Sequence, residues 1–138
     1  MRKYKKDTRW CVWRWTYQPE ADYIVRLHVL QTPYFGIYVH YLNHADIEPY
    51  LHDHPRTFLS LIWRGNYLER RVDGTYWRRW FNVVRATDCH TIINVAPRTV
   101  TLAVMGPVRQ QWGFFTPAGK VFWKDYYAPR KAAAKENA

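Results

Sequence analysis

From Arg9 onward the chain is written in short aromatic and β-branched runs cut off by proline, glycine and polar breaks, and this punctuation limits the folds open to it. The run at 10–17 is closed by Gln18-Pro19. The run at 23–30 is closed by Gln31-Thr32-Pro33, and the one at 36–42 by a polar connection reaching Tyr50. Runs of this length and composition read as strands, and the breaks read as turns. Strands are expected at 58–63 and 67–72 around Arg64-Gly65-Asn66, and Asp73-Gly74 carries a strong hairpin signal. Further strands are expected at 76–84, 91–95, 100–105, 111–115 and 121–127. About ten short strands at near-regular spacing, with no amphipathic helix and no internal repeat, predict an all-β sandwich or barrel.

One of these runs is apolar on both sides. Phe58, Ser60 and Ile62 form one face, and Leu59, Leu61 and Trp63 form the other. A strand in a small barrel should turn one face to water, so a cover is expected, either the N-terminal strands or a second copy of the chain. The expectation adopted is a homodimer.

The 138 residues are 48% hydrophobic and 18% aromatic, which is too apolar for a disordered chain and enough for one packed domain. That domain is expected over 9–127, between a flexible basic N-terminus at 1–8 and a flexible basic tail at 128–138. No apolar run is long enough to span a bilayer, and the basic start lacks the apolar stretch of a secretory signal. Cys11 and Cys89 are too few and too far apart for a disulfide framework, so a cytoplasmic setting is expected. The formal net charge of +10 argues for anionic partners, although part of the excess sits in the tails.

Chemistry concentrates at Leu51-His52-Asp53-His54-Pro55. An extended backbone points residues i and i+2 to one face, so His52 and His54 project together while Asp53 points away. Imidazole pairs suit transition metals, and a third histidine, His90, lies in a second apolar stretch. The competing reading of these residues is a pair of surface histidines at a turn.

With these residues in place, the chain resembles the cupin superfamily. Cupins carry a first motif, G-x5-H-x-H-x3,4-E-x6-G, and a second, G-x5-P-x-G-x2-H-x3-N. His52-x-His54 stands in the first, with Gly65 at its closing glycine, and His90-x3-Asn94 stands in the second. The chain also looks like small cupin-like proteins of uncertain function from phage and bacterial genomes. The similarity lies in the runs at 51–55, 65–69, 85–90 and 106–114. A phage origin would make the compartment the host cytoplasm.

The resemblance implies a cupin-type double-stranded β-helix, a jelly-roll barrel, with His52, His54 and His90 as metal ligands. It also implies a divalent transition metal, iron or zinc foremost, with nickel, manganese and copper as further candidates. The chain departs from the pattern at several positions. Phe58 holds the glutamate slot of the first motif, and its opening glycine is absent. Arg85 and Thr87 replace the proline and glycine of the second. Three-histidine cupin sites of this kind occur in thiol and diketone oxygenases.

Other residues carry two readings each. Glu69 is a candidate acid, base or further ligand, or else the partner of a nearby arginine. Tyr67 is a candidate catalytic hydroxyl or a core aromatic. Arg109 is a candidate contact for an anionic substrate at the barrel rim. Asp53 is a candidate second-layer acceptor whose parity argues for the outside, and His28 and His40 read as satisfied strand histidines. The arginines 64, 70, 71, 78, 79 and 85, interleaved with Tyr76, Trp77 and Trp80, fit nucleic-acid contact or a solvated face. Alternation splits the pairs 70–71 and 78–79 between faces, which makes nucleic acid the lesser expectation.

Two functions of different class follow. One is a metal-dependent cupin enzyme, an oxygenase, isomerase or hydrolase acting on a small anionic, nucleotide-derived or related substrate. The other is a non-enzymatic module that captures a ligand, nucleic acid or host protein through its cavity or basic surface.

Overall fold

Among residues 10–17, 24–46 and 48–136, which the computed structural model describes, eleven strands and one helix follow one another. The strands are β1 (Cys11–Tyr17), β2 (Ile24–Gln31), β3 (Gly36–Leu42), β4 (Phe58–Arg64), β5 (Tyr67–Arg71) and β6 (Gly74–Arg78). They continue with β7 (Phe81–Val84), β8 (His90–Val95), β9 (Thr99–Met105), β10 (Gly113–Thr116) and β11 (Gly119–Phe122), and the helix is α1 (Trp123–Glu136). The basic lead-in expected at 1–8 lies outside the described residues.

Six strands form one sheet in the order β1-β2-β3-β9-β4-β7. The second sheet is β6-β5-β8, and the β10-β11 hairpin joins it through His52, which bridges His90 on one side and Phe114 on the other. Strands distant in sequence thus pair while hairpin neighbours are divided between sheets, which is the double-stranded β-helix expected above. Alternation sets the faces: along β3, Gly36, Tyr38, His40 and Leu42 are buried and point inward. One end of the interior is closed by an apolar cluster of Leu42, Ile62 and Tyr67, with Ile92 and Val95 packed against it. The turn from β4 to β5 needs Gly65, whose φ of 83° is left-handed and whose α-carbon sits against the buried Thr99.

Two sequence expectations are corrected. The run at 76–84 is two strands, parted at Arg79-Trp80, because β6 pairs with β5 in one sheet and β7 with β4 in the other. The strand expected at 121–127 ends at Phe122, and the tail, expected to be flexible, is helical through Glu136. Packing explains the helix. Trp123 stacks on Trp112 with centroids 5.8 Å apart, Tyr126 lies 4.2 Å from the Phe114 ring, and the Tyr126 hydroxyl donates to Glu48 at 2.6 Å. Asp125 in the first turn complements the helix dipole.

The outer face of the six-stranded sheet is apolar along its whole width. Register aligns Trp15, Leu27, Val39, Leu102, Leu61 and Phe81 in one row across all six strands. Trp15, Leu61 and Phe81 are 54%, 42% and 60% exposed, Val39 and Leu102 are half-buried, and Leu27 is buried. The N-terminal strands do not cover this face. β1 and β2 add to the sheet edge and carry the apolar surface further.

Candidate metal centre

The histidine stretch acts as an extra strand of the second sheet. His52 and His90 exchange backbone hydrogen bonds, both at 2.9 Å, while Phe115 N–H donates to Leu51 O at 2.8 Å and Asp53 N–H to Gly113 O at 3.2 Å. Extended backbone held on both sides fixes the alternation, so His52 and His54 point to the barrel interior together with His90. The nearest ligand-capable atoms of the three histidines lie within 4.8 Å of one another. The His54 and His90 rings are 4.9 Å apart, and each lies 5.0 Å from His52.

Glu69 is the residue that orients this cluster. It is fully buried, and its Oε1 accepts from His90 Nδ1 at 2.5 Å and from Asn82 Nδ2 at 3.1 Å. Oε2 accepts from Arg78 Nε at 2.7 Å, and Arg71 Nε stands 3.2 Å away, off the axis of a hydrogen bond. A carboxylate on Nδ1–H leaves the His90 Nε2 lone pair aimed into the barrel. That lone pair meets His54 Nε2 at 2.7 Å, so His54 donates there. Burial pushes the Glu69 carboxyl up, but the hydrogen bond from His90, with the Arg78 and Arg71 guanidinium groups, outweighs it and holds the group well below the usual carboxylate range. Glu69 therefore stays an anion behind His90 rather than serving as a ligand.

His52 and His54 are held neutral, which is the state in which imidazole binds metal. Burial lowers His52 to about 4, against the opposing charge of Asp46, and lowers His54 well below its ordinary value with help from His90 and His52. Phe58, in the glutamate slot of the first motif, stands edge-on to the His54 ring at 4.9 Å. The slot that would hold a carboxylate ligand thus holds an apolar wall.

The other sequence candidates separate. Tyr67 packs with Leu42 and Ile62, its hydroxyl accepts from Asn82 Nδ2 at 3.0 Å, and burial pushes its pKa up to about 12. It is a core aromatic behind Glu69 rather than a wet catalytic hydroxyl. Arg109 is exposed in the connection before β10, tied by its backbone N–H to Pro55 O at 2.8 Å, so its side chain lies in solvent beside the histidine stretch. Asp53 does face away from the histidines but is 2% exposed. It accepts from Gly113 N–H at 2.8 Å, Lys120 Nζ at 2.6 Å and Gln110 Nε2 at 3.0 Å. Arg71 and Arg78 turn inward to Glu69 while Arg70 and Arg79 are exposed, so the paired arginines do split between faces.

Sequence reasoning did not single out Asn82, which links Tyr67 to Glu69, or Asp46, whose carboxylate accepts from Ile92 N–H at 2.7 Å beside the histidine strand. It also passed over Arg26, whose Nε donates to His40 Nε2 at 2.8 Å. An arginine written into an otherwise apolar strand was the available signal for the last of these.

No protein-family model matches the chain, and no curated protein matches it. Solved structures do. A cupin 2 conserved barrel domain protein from Rhodopseudomonas palustris superposes with a TM-score of 0.58 at 15% identity, covering 88% of this chain and 84% of its own. An uncharacterised protein with a double-stranded β-helix domain from Klebsiella pneumoniae gives 0.54 at 17% identity, covering 70% and 88%. The DMSP lyase DddQ from Ruegeria pomeroyi gives 0.56 at 11% identity, covering 82% of this chain and 62% of its own. The chain has the cupin barrel fold. Among the described residues no helix is long and apolar enough to cross a membrane.

Proposed function

We propose that the chain is a metal-dependent enzyme of the cupin type, acting on a small anionic substrate at the centre formed by His52, His54 and His90. The observation that carries this reading is the convergence of His54 Nε2 and His90 Nε2 at 2.7 Å, with His90 Nδ1 fixed by Glu69. Three neutral imidazoles with a carboxylate behind one of them fit a divalent transition ion, iron or zinc foremost, with nickel, manganese and copper as further candidates. Such an ion would supply Lewis acidity and retain its full charge among neutral ligands, which favours an anionic substrate. Glu69 holds the Nδ1 proton of His90, and Phe58 and Phe114 line the histidines with apolar surface. Oxygenation, isomerisation and hydrolysis are the candidate reactions, and the lyase among the similar structures adds elimination.

A second reading is favoured by the sequestration of Glu69 and Tyr67. With both tied into the core, the centre would capture a ligand without turning it over. Elemental analysis of the wild type and of His52→Ala, His54→Ala and His90→Ala tests the shared premise. About one transition ion per wild-type chain is expected, and less in each variant. Equal metal in all four proteins would remove the site from both readings.

We infer that a second copy of the chain covers the outer face of the six-stranded sheet. None of the six strands contains an Asp or Glu, and the chain carries a net charge of +10, so two copies meet with least repulsion on this largely uncharged face. Six strands about 4.8 Å apart, each with about six residues rising 3.3 Å, give a flat footprint of about 24 by 20 Å. Side-chain relief brings this toward the ~800 Å² per partner of a stable interface.

A further inference from the structure

At the end of the barrel closed by Leu42, Ile62 and Tyr67, three backbone segments lie side by side. β4 runs between β7 and β9, and Ile62 N–H donates to Trp80 O at 2.8 Å. Arg64 is in register with Val100, and Ala96 N–H donates to Asn66 O at 2.9 Å. Residues 79–81, 62–66 and 96–100 are therefore neighbours across about two strand spacings, or ~10 Å. A bulge between Ile62 and Arg64 leaves Trp63 without a partner on β9 and turns it outward, 85% exposed. Trp80, in the crossing from β6 to β7, is 74% exposed.

The three segments hold Arg64, Arg79 and Arg98 and contain no Asp or Glu. All three arginines are exposed, and among the described residues none meets a carboxylate or makes a side-chain hydrogen bond. Their neighbours in the chain are occupied: Arg71 and Arg78 face Glu69, and Arg70 donates to Pro49 O at 3.3 Å. Arg98 lies in the turn from β8 to β9 with a φ of 60°, a left-handed backbone that a residue with a β-carbon seldom adopts. Arg79 lies over Trp80, its central carbon 5.5 Å from the ring centroid, yet the indole stays mostly open. The arginine is thus not a cover for the ring, and its donors are left for another partner.

We propose that this end of the barrel binds single-stranded nucleic acid, with Trp63 and Trp80 stacking on unpaired bases while Arg64, Arg79 and Arg98 take phosphates. Each nucleotide offers one flat base and one anion, and the patch offers flat rings and planar forks in the same intimate mixture. A duplex hides the faces of its bases, so the indoles favour a single strand. An interfacial membrane anchor sets its apolar groups apart from a polar, basic face. Here Trp63 adjoins Arg64 and Arg79 adjoins Trp80. A second copy of a chain with net charge +10 would avoid three unpaired charges, and the patch lies at the margin of the face assigned to that copy. The arginine pairs 70–71 and 78–79 split between faces, but the three forks here come from three different segments. The inference stands apart from the metal centre.

Fluorescence anisotropy of a labelled oligothymidylate of about twelve nucleotides, titrated from ~0.05 to ~0.2 M salt, tests it. The wild type is expected to bind, and a duplex of the same length to bind at least about tenfold more weakly. Trp63→Ala and Trp80→Ala should each weaken binding about fivefold to a hundredfold. The triple variant Arg64→Gln, Arg79→Gln, Arg98→Gln should lower the slope of log affinity against log salt by about 2, from about 0.7 per phosphate. A control triple, Arg14→Gln, Lys131→Gln, Lys135→Gln, removes the same charge elsewhere and should leave affinity within about threefold. All the replaced side chains are exposed, and circular dichroism checks the fold of each variant. Equal loss in the two triples, an unchanged slope in the first, or indole variants that bind like the wild type overturn the inference. So does a wild type that ignores the oligonucleotide at ~0.05 M salt. Binding through the same residues to polyglutamate, or to phosphatidylcholine vesicles with about 30% phosphatidylserine, but not to the oligonucleotide assigns the surface to another partner and also overturns it.

Discussion

Replacing Glu69 by Gln changes one buried atom and tests the logic of the centre. The carboxylate faces donors only: His90 and Asn82 at Oε1, Arg78 and Arg71 at Oε2. An amide has one acceptor and one donor end. With its oxygen toward His90, the NH2 meets Arg78 and Arg71. Flipped, it donates to His90 Nδ1 and drives the histidine proton to Nε2, where it points at the other ligands. Loss of such a partner typically weakens metal binding about tenfold to a hundredfold, which is about 1.4 to 2.7 kcal/mol. Removing one partner from a buried charge network also lowers stability, by about 3 to 5 kcal/mol, because Arg78 loses its counter-charge and Arg71 keeps only its pairing with Asp88 at 3.3 Å. Zinc affinity measured by chelator competition, beside urea unfolding of the metal-free proteins, reads the two effects separately. Zinc affinity within about threefold of wild type in a folded Glu69→Gln protein would refute the argument that Glu69 sets the His90 lone pair.

Two further outcomes are expected. Leu61→Glu, at the middle of the apolar row, should convert a dimer into a monomer by light scattering at micromolar concentration, whereas a monomeric wild type would sink the second-copy reading. His40 binds fewer protons folded than unfolded, so its contribution is complete above its unfolded pKa of about 6.5 and is lost as pH falls below that. Urea midpoints should drop between pH 7.5 and pH 5, and less steeply in His40→Gln; equal slopes would count against a buried neutral His40.

The clustering of the three histidines was legible because it needs only strand parity and a motif: His52 and His54 two apart, His90 with Asn94 four further on. Pairing with an arginine was one of the two readings of Glu69 and is found with Arg71 and Arg78, but its contact with His90 was not legible. Its meeting with His90 depends on the β5–β8 register, which shifts by a bulge between Leu68 and Glu69, and no local pattern specifies that shift. Parity correctly aimed Asp53 away from the histidines, but whether that side is wet depends on the β10-β11 hairpin covering it. The helix was hidden for a different reason. Trp123, Tyr126 and Tyr127 read as strand by propensity, and only packing against Trp112 and Phe114 decides otherwise. The inner and outer faces of β4 were both legible as apolar, while the fate of the N-terminal strands, edge rather than cover, is a property of the whole sheet.

The tethering of the histidine stretch also sets an order of events during folding. Asp53 is tied to Gly113 and Lys120, 60 and 67 residues further along, and Gln110 reaches back 56 residues to the His54 carbonyl. His52 is flanked by β8 on one side and β10 on the other. Closing loops of this length precedes any gain from the contacts they bring together, so such pairings form slowly. On a ribosome, the strand that carries two of the three histidines has no outer neighbour until the β10-β11 hairpin has emerged. The centre is therefore among the last parts of the barrel to take shape, and a metal ion bound there would be taken up by a nearly finished fold rather than serve as the nucleus around which it forms.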